Sequence, residues 1–316
     1  MLIKYFSGEH PKITTNDKSL SMKQKPYLSY ILSLFMLITV TAVKAEPNMS
    51  TLERISSHKI INIGYRDAPP YSYKTRDGQV VGYVIELCKN VTESLKKNLH
   101  INHLEVNYIP VPISMRIPML KHNVIDMDCS VNTDTVKRRS VVSFSRHYLL
   151  VQTRFGTPVG TNIHTFLDLA GRTISVTKGT ADLISANTLN RVQNLNLFVL
   201  TQPTMKDAFI TMTQHKSFAT ATNEVSLKEL IESSEHPEDY QMSDLTLGTP
   251  QNLGIMLRYD DQEFKKIVDA SLADRFKRHD FKSFYDQWFN SVLPDKNFNL
   301  HLPLTAGMYK YIAQNT

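Results

Sequence analysis

Twice along this chain, short β-prone runs alternate with stretches of helical spacing, and each set is followed by a longer extended run with no helix behind it. The first set comprises residues 60–65, 104–109 and 124–129, with Leu87, Val91 and Leu95 marking an intervening helix. Residues 143–155 then read as an extended strand. The pattern restarts with a strand at 173–176, a Gly179-Thr180 turn, a helix through Leu183, Ile184 and Leu189, and strands at 198–200 and 218–222. Between these two strands, Thr204-Met-Lys-Asp207 has the spacing of a capping box, opening a helix that carries Phe209 and Met212. Residues 253–258 are extended again, and Phe264, Ile267, Val268 and Leu272 mark an amphipathic helix after them. The polar stretch 240–250 reads as loop.

Alternation of this kind requires a largely parallel sheet with helices on its faces. Two such sets joined by two extended crossings predict an α/β protein of two lobes, residues 46–150 with 255–316 in one and 151–254 in the other. Ligands of open α/β sheets bind beyond the carboxyl ends of strands, so two facing lobes predict a cleft between them.

Residues 1–45 read as a leader. Met22-Lys-Gln-Lys25 is basic, residues 27–40 are almost unbroken apolar, and Val43-Lys44-Ala45 offers small residues at the two positions a signal peptidase reads. An apolar core of about fourteen residues is shorter than the roughly twenty that span a bilayer, which favours a cleaved signal, proper to residues 22–45, over an anchor. Cleavage is expected after Ala45, with export to the periplasm; whether translation starts at Met1 or Met22 is left open. The formal charge of +6 belongs mostly to the leader, which holds six Lys/Arg and two Asp/Glu; the remainder carries 30 basic and 28 acidic residues. So near-neutral a chain is no nucleic-acid binder by bulk electrostatics. Two cysteines, Cys88 and Cys129, sit in an exported chain where a disulfide is permitted. Cys88 faces off a helix and Cys129 ends a strand. Pairing therefore stays open, with two small buried apolar residues as the plainer reading. No metal or cofactor is expected: His100 and His103 are the one close histidine pair, and no carboxylates stand at ligand spacing beside them. Trp288, with Phe281, Phe284 and Phe289, has the spacing of helix packing.

The richest segment runs from Ile125 to Arg138: a short apolar strand, a polar turn, then a helix start ending in arginine. This order sets backbone N–H groups and hydroxyls at a strand's carboxyl end, with a guanidinium one turn on. Arginine's planar fork makes two parallel hydrogen bonds to a carboxylate and keeps its charge, so the segment predicts a receptacle for a small acid.

Eight pieces appear in order: Ile61-Asn-Ile-Gly-Tyr-Arg66, Pro70-Tyr-Ser-Tyr73, Val80-Val-Gly-Tyr83, Arg116-Ile-Pro-Met-Leu120, Asp126-Met-Asp-Cys129 to Arg138, Phe144-Ser145, Leu167-Asp-Leu-Ala-Gly-Arg172 and Val176-Thr-Lys-Gly-Thr180. In these the chain resembles the bacterial extracellular solute-binding proteins of family 3, above all those that bind glutamate and aspartate, over residues 60–288. The resemblance implies the type II periplasmic-binding-protein fold and a monomeric receptor that closes around an amino acid and hands it to the permease subunits of an ABC importer. It places Arg138 on the ligand's α-carboxylate, Thr133 beside it, and Arg66 and Arg116 around the ligand's carboxylates. Thr177 and Thr180 would complete the site from the second lobe. A helix starting near Thr180 would add about 0.3–1 kcal/mol for a nearby anion.

Three departures bear on the ligand. Asn223, followed by Glu224, stands where the family presents an aspartate to the ligand's ammonium. A neutral acceptor contributes about 1 kcal/mol against about 1.5–3 for a charged one, an expected loss of about tenfold in affinity unless Glu224 substitutes. Met205 and Val131 stand where acidic-amino-acid receptors carry polar side chains. Ile255 replaces a cysteine of the relatives, so their disulfide at the return crossing is not expected. An acidic amino acid leads as the expected ligand, with a dicarboxylate lacking an amine as the alternative. Cyclohexadienyl dehydratase-like enzymes share the fold, with Glu224 as a conceivable general acid, but one carboxylate is not a mechanism and no enzyme activity is expected.

Overall fold

The computed structural model describes residues 49–314, so the expected signal segment and its cleavage site lie outside the described residues. The first part of the chain runs α1 (Thr51–His58), β1 (Ile60–Tyr65), β2 (Tyr73–Lys74), β3 (Val80–Val81), α2 (Tyr83–Asn98), β4 (Glu105–Pro110), α3 (Arg116–Lys121), β5 (Met127–Asp128) and α4 (Val136–Arg139). A long strand, β6 (Val142–Pro158), leads to β7 (Thr173–Thr177), α5 (Ala181–Gln193), β8 (Phe198–Gln202), α6 (Met205–Thr213), β9 (Ala219–Asn223) and α7 (Glu224–Glu232). A second long strand, β10 (Tyr240–Arg258), returns to α8 (Gln262–Lys277), α9 (Phe281–Phe289) and α10 (Ala306–Gln314).

The eight main strands form one sheet in the order β4-β1-β5-β10-β6-β9-β7-β8. Its two ends are parallel triplets, β4-β1-β5 and β9-β7-β8, which is what the strand–helix alternation demands. The middle is the antiparallel pair β6 and β10, each also antiparallel to the inner strand of one triplet. These two strands are the crossings. The stretch 240–250, read from sequence as loop, is instead the first half of β10. Its ladder to β6 breaks register between Met242 and Thr246 and again between Leu247 and Gln251. Such bulges disrupt the period-2 alternation by which a strand is recognised, and polar side chains there face solvent along a narrow ribbon.

Two larger apolar clusters lie on either side of the crossings. One gathers Ile61, Ile63, Leu87, Val91, Met127, Phe264, Val268 and Trp288; the other gathers Phe155, Leu169, Ile174, Val176 and Leu247. In the first, α9 lays Phe284 and Phe289 against the buried ring of Tyr83, with centroids 5.2 and 5.0 Å away. Cys88 and Cys129, left open by the sequence, form a disulfide with Cα atoms 6.4 Å apart. Helix α2 packs against β1, the neighbour of β5 in the sheet, which places Cys88 within bonding reach of Cys129. The bridge ties that helix to the residue just before the polar turn.

Candidate functional site

Two strand ends meet across the crossings. On one side β5 ends at Asp128 and the chain turns through Ser130, Asn132 and Thr133 into α4. On the other, β7 ends at Thr177 and turns through Gly179 into α5. Gly179 has φ +79°, a left-handed conformation that a side chain would strain, and it turns the carbonyl towards the first half.

Arg66, Arg116 and Arg138 converge on this junction. Arg66 follows β1 directly and is buried; its Nε donates to Ser130 Oγ at 3.1 Å and its Nη2 to the Val131 carbonyl. Arg116 opens α3, is 4 % exposed, and donates to Asn132 Oδ1 at 3.2 Å and the Gly179 carbonyl at 2.7 Å. Arg138, in α4, donates to the Thr133 carbonyl at 2.6 Å and also to the Gly179 carbonyl, at 3.1 Å. Two guanidinium groups from one half therefore grip a single carbonyl of the other.

No carboxylate among the described residues forms an ion pair with any of the three. Burial pulls all three guanidinium groups below their usual range. Arg138 falls to about 10, through burial first and then repulsion by Arg66. Arg116 is lowered as well, by burial first, with Arg138 and Arg66 both adding to that effect. Like charges gathered in a partly dry junction are mutually costly, and an anion placed among them relieves that cost.

The other expected contacts differ among themselves. Thr177 is 2 % exposed and its hydroxyl has no hydrogen-bond partner, so it is free to meet a ligand. Thr180 caps α5: its hydroxyl donates to the Thr177 carbonyl at 2.7 Å and accepts from Leu183 N–H. The Thr133 hydroxyl donates to Gln251 Oε1 at 2.8 Å. Asn223 caps α7, its Oδ1 accepting from Ser226 N–H at 3.0 Å and from the Tyr71 hydroxyl at 3.2 Å. Glu224 does not shift into the place of the missing aspartate, for it accepts from Arg154 at 3.0 Å and from Gln152 N–H. Met205 Sδ accepts a long hydrogen bond from Thr222, and the Val131 side chain is buried.

Several participants carried no role in the sequence reading. Asp182, in the first turn of α5, accepts from Thr153 and Gln251, and Gln251 binds Thr133 in turn; this buried chain links both strand ends to both crossing strands. Burial raises the Asp182 carboxyl, against the pull of those hydrogen bonds and of Arg138. Asp128 is wholly buried beside the arginines. Two aspartates in an apolar run at 125–129 were the available signal for it. Outward from the junction opens a groove of about 2010 Å³, lined by Arg66, Asp67, Gly179, Met205, Glu229 and Lys296 among others. Glu229 there is raised to about 7 by burial, with Lys296 opposing.

Comparison with known proteins agrees with this architecture. Residues 61–291 match the model of the bacterial extracellular solute-binding proteins, family 3. The glutamate/aspartate import solute-binding protein of Escherichia coli (strain K12) is 30 % identical over 263 residues, covering 82 % of this chain and 86 % of its own. The L-glutamate/L-aspartate-binding protein of Pseudomonas aeruginosa is 29 % identical over 279 residues, covering 87 % and 91 %. Among solved structures, the cysteine-binding protein from Campylobacter jejuni superposes with a TM-score of 0.66 at 22 % identity over 76 % of this chain and 93 % of its own. An ancestral amino-acid-binding protein, precursor of cyclohexadienyl dehydratase, gives 0.64 at 22 % identity over 76 % and 99 %. These last two show the two-lobed fold. With a family match over residues 61–291 and relatives alike along most of their length, the chain belongs to the bacterial extracellular solute-binding proteins, family 3.

Proposed function

We propose that this protein is the periplasmic receptor of an ABC importer, capturing an acidic amino acid as its lobes close and delivering it to a membrane permease. One observation carries the reading: Arg66, Arg116 and Arg138 converge with no carboxylate bonded to them, two of them holding the Gly179 carbonyl. A ligand carboxylate is the better acceptor for both, because it is charged and presents two oxygens to a planar fork. It would exchange a carbonyl contact for a charge-assisted one and draw the halves together around itself. Arg138 and Arg116 would hold carboxylate, with Arg66 behind them and the free Thr177 hydroxyl opposite. The lobes would be 46–150 with 255–316 and 151–254, a division supported by the apolar cluster of Phe155, Leu169, Ile174, Val176 and Leu247, which lies wholly within the second. Export through a signal cleaved after Ala45 and a monomeric state complete the proposal. A receptor rather than an enzyme is supported by the relatives, which are binding proteins, and by the pairing of Glu224 with Arg154.

A second reading has its own support. Asn223 Oδ1 already accepts two hydrogen bonds, so nothing at that position offers charge to an ammonium. A dicarboxylate without an amine then becomes the natural alternative. Calorimetry on the exported protein tests both: binding of glutamate over 2-oxoglutarate favours the first, and equal or tighter binding of the keto acid favours the second. No binding of any amino acid or dicarboxylate would defeat the proposal altogether.

A further inference from the structure

Asp128 closes β5, opposite Gly64 of β1 on one side and Met256 of β10 on the other. Its side chain is wholly buried and neither carboxylate oxygen has a hydrogen-bond partner of good geometry, although the Asn132 side-chain amide lies close enough to favour its charged form. Two residues earlier, Asp126 is buried too, but it accepts from Arg54 and from Asn62 N–H. A buried carboxylate without partners is costly, and most chains avoid one. The charged and titratable groups that face it are Arg66 behind β1, Arg116 from α3, Arg138 from α4 and Tyr148 from β6; β10 offers only Met256. All three arginines spend their donors elsewhere.

We propose that Asp128 selects the charge of the ligand, deciding whether the three-arginine cluster takes a singly or a doubly negative acid. The inference rests on the carboxylate-receptor reading above. Three guanidinium groups set against Asp128 and Asp182 leave one positive charge for the ligand to balance. An acidic amino acid, with two carboxylates and one ammonium, brings a single negative charge and fits. A dicarboxylate without an amine brings two, and balance is restored when one aspartate takes up a proton; Asp128 is assigned that role because Thr153 and Gln251 hold Asp182 as an acceptor. Burial raises the Asp128 carboxyl while Arg66 and Arg116 pull it back, so its proton affinity responds to the charge placed beside those arginines. Asp128 acts through the field it adds to the arginines rather than by touching the ligand, which makes it a specificity residue and not a contact.

The test is calorimetry of glutamate and of glutarate from pH 5 to pH 8, in buffers of different ionisation heat, with the wild-type protein and Asp128→Asn. Glutarate binding should take up a proton, so its affinity falls as pH rises, by up to about tenfold per pH unit, while glutamate affinity changes by less than about threefold. Asp128→Asn should flatten the glutarate profile and raise the glutarate-to-glutamate affinity ratio at pH 8 by about tenfold or more. Identical pH profiles for the two ligands in the wild type overturn the inference. So does a glutarate profile unchanged in the variant, which transfers the titration to Asp182. Should the variant not fold, carboxyl carbon NMR of the wild-type protein with glutarate decides: a proton taken up on Asp128 upholds the inference, and one taken up on Asp182, or equal uptake with both ligands, overturns it. If neither ligand binds the wild type at any pH, the receptor reading has failed, an outcome distinct from all of these.

Discussion

The turn after β5 and the turn after β7 have the same plan, a strand end, a polar bend and a helix start, yet they hold their polar atoms in opposite ways. The first brings Asn132 and Arg138 beside Arg116 of α3, at a junction where charges gather without carboxylate partners, together with an unbonded Asp128. The second consumes its polar atoms internally: Thr180 caps α5, and Asp182 is held by Thr153 and Gln251. What it offers across the junction is a carbonyl and one free hydroxyl. The difference teaches that one half supplies the field and the other supplies shape. A cluster of like charges is a poor structural device but an effective receptor, because its cost is relieved only by the right ligand.

Breaking the anchor of the charged half should have the largest effect. The disulfide closes a loop of 41 residues in sequence separation. Replacing both Cys88 and Cys129 by serine should lower unfolding free energy by about 4 kcal/mol, read from denaturant titration, with the reduced wild type behaving alike. Removing one charge from that half comes next: Arg138→Ala should weaken glutamate binding by at least about a hundredfold, since a charged, two-pronged contact is lost while the half-buried site refolds around water. Binding unchanged in this variant would remove the distinction between the halves. In the shape-giving half, Asn223→Asp keeps a good helix cap and adds charge, so the glutamate-to-2-oxoglutarate affinity ratio should rise by about tenfold. The smallest effect is expected at Thr180→Ala, about 1 kcal/mol of stability lost with the cap and less than about threefold in affinity. A loss of affinity larger than the loss of stability would show that Thr180 touches ligand after all.

Much of the molecule was legible in the order of its residues. The parallel triplets follow from short, mostly apolar runs such as Ile60–Tyr65 separated by helical spacing, because helices covering the sheet bury most of such a strand. Arg66, Arg116 and Arg138 were identifiable through the family resemblance, and the structure gathers them. The first half of β10 was not legible, since bulges and polar residues erase alternation in a strand whose partner, β6, lies about ninety residues away in the chain. Nor was the partner of Thr133, whose hydroxyl bonds Gln251, 118 residues on in the chain.

The sequence by itself determined the class of fold, the existence of two lobes and the sign of the charge brought to their junction, because periodicity and residue type are local properties. The tertiary structure decided which of those groups remain free. Asp128 and Asp126 are chemically identical and two residues apart, but one meets Arg54 and a backbone N–H while the other faces three arginines that bond elsewhere. Cys88 and Cys129 became a bridge for the same reason: whether two groups pair depends on distance in space, which no local pattern encodes.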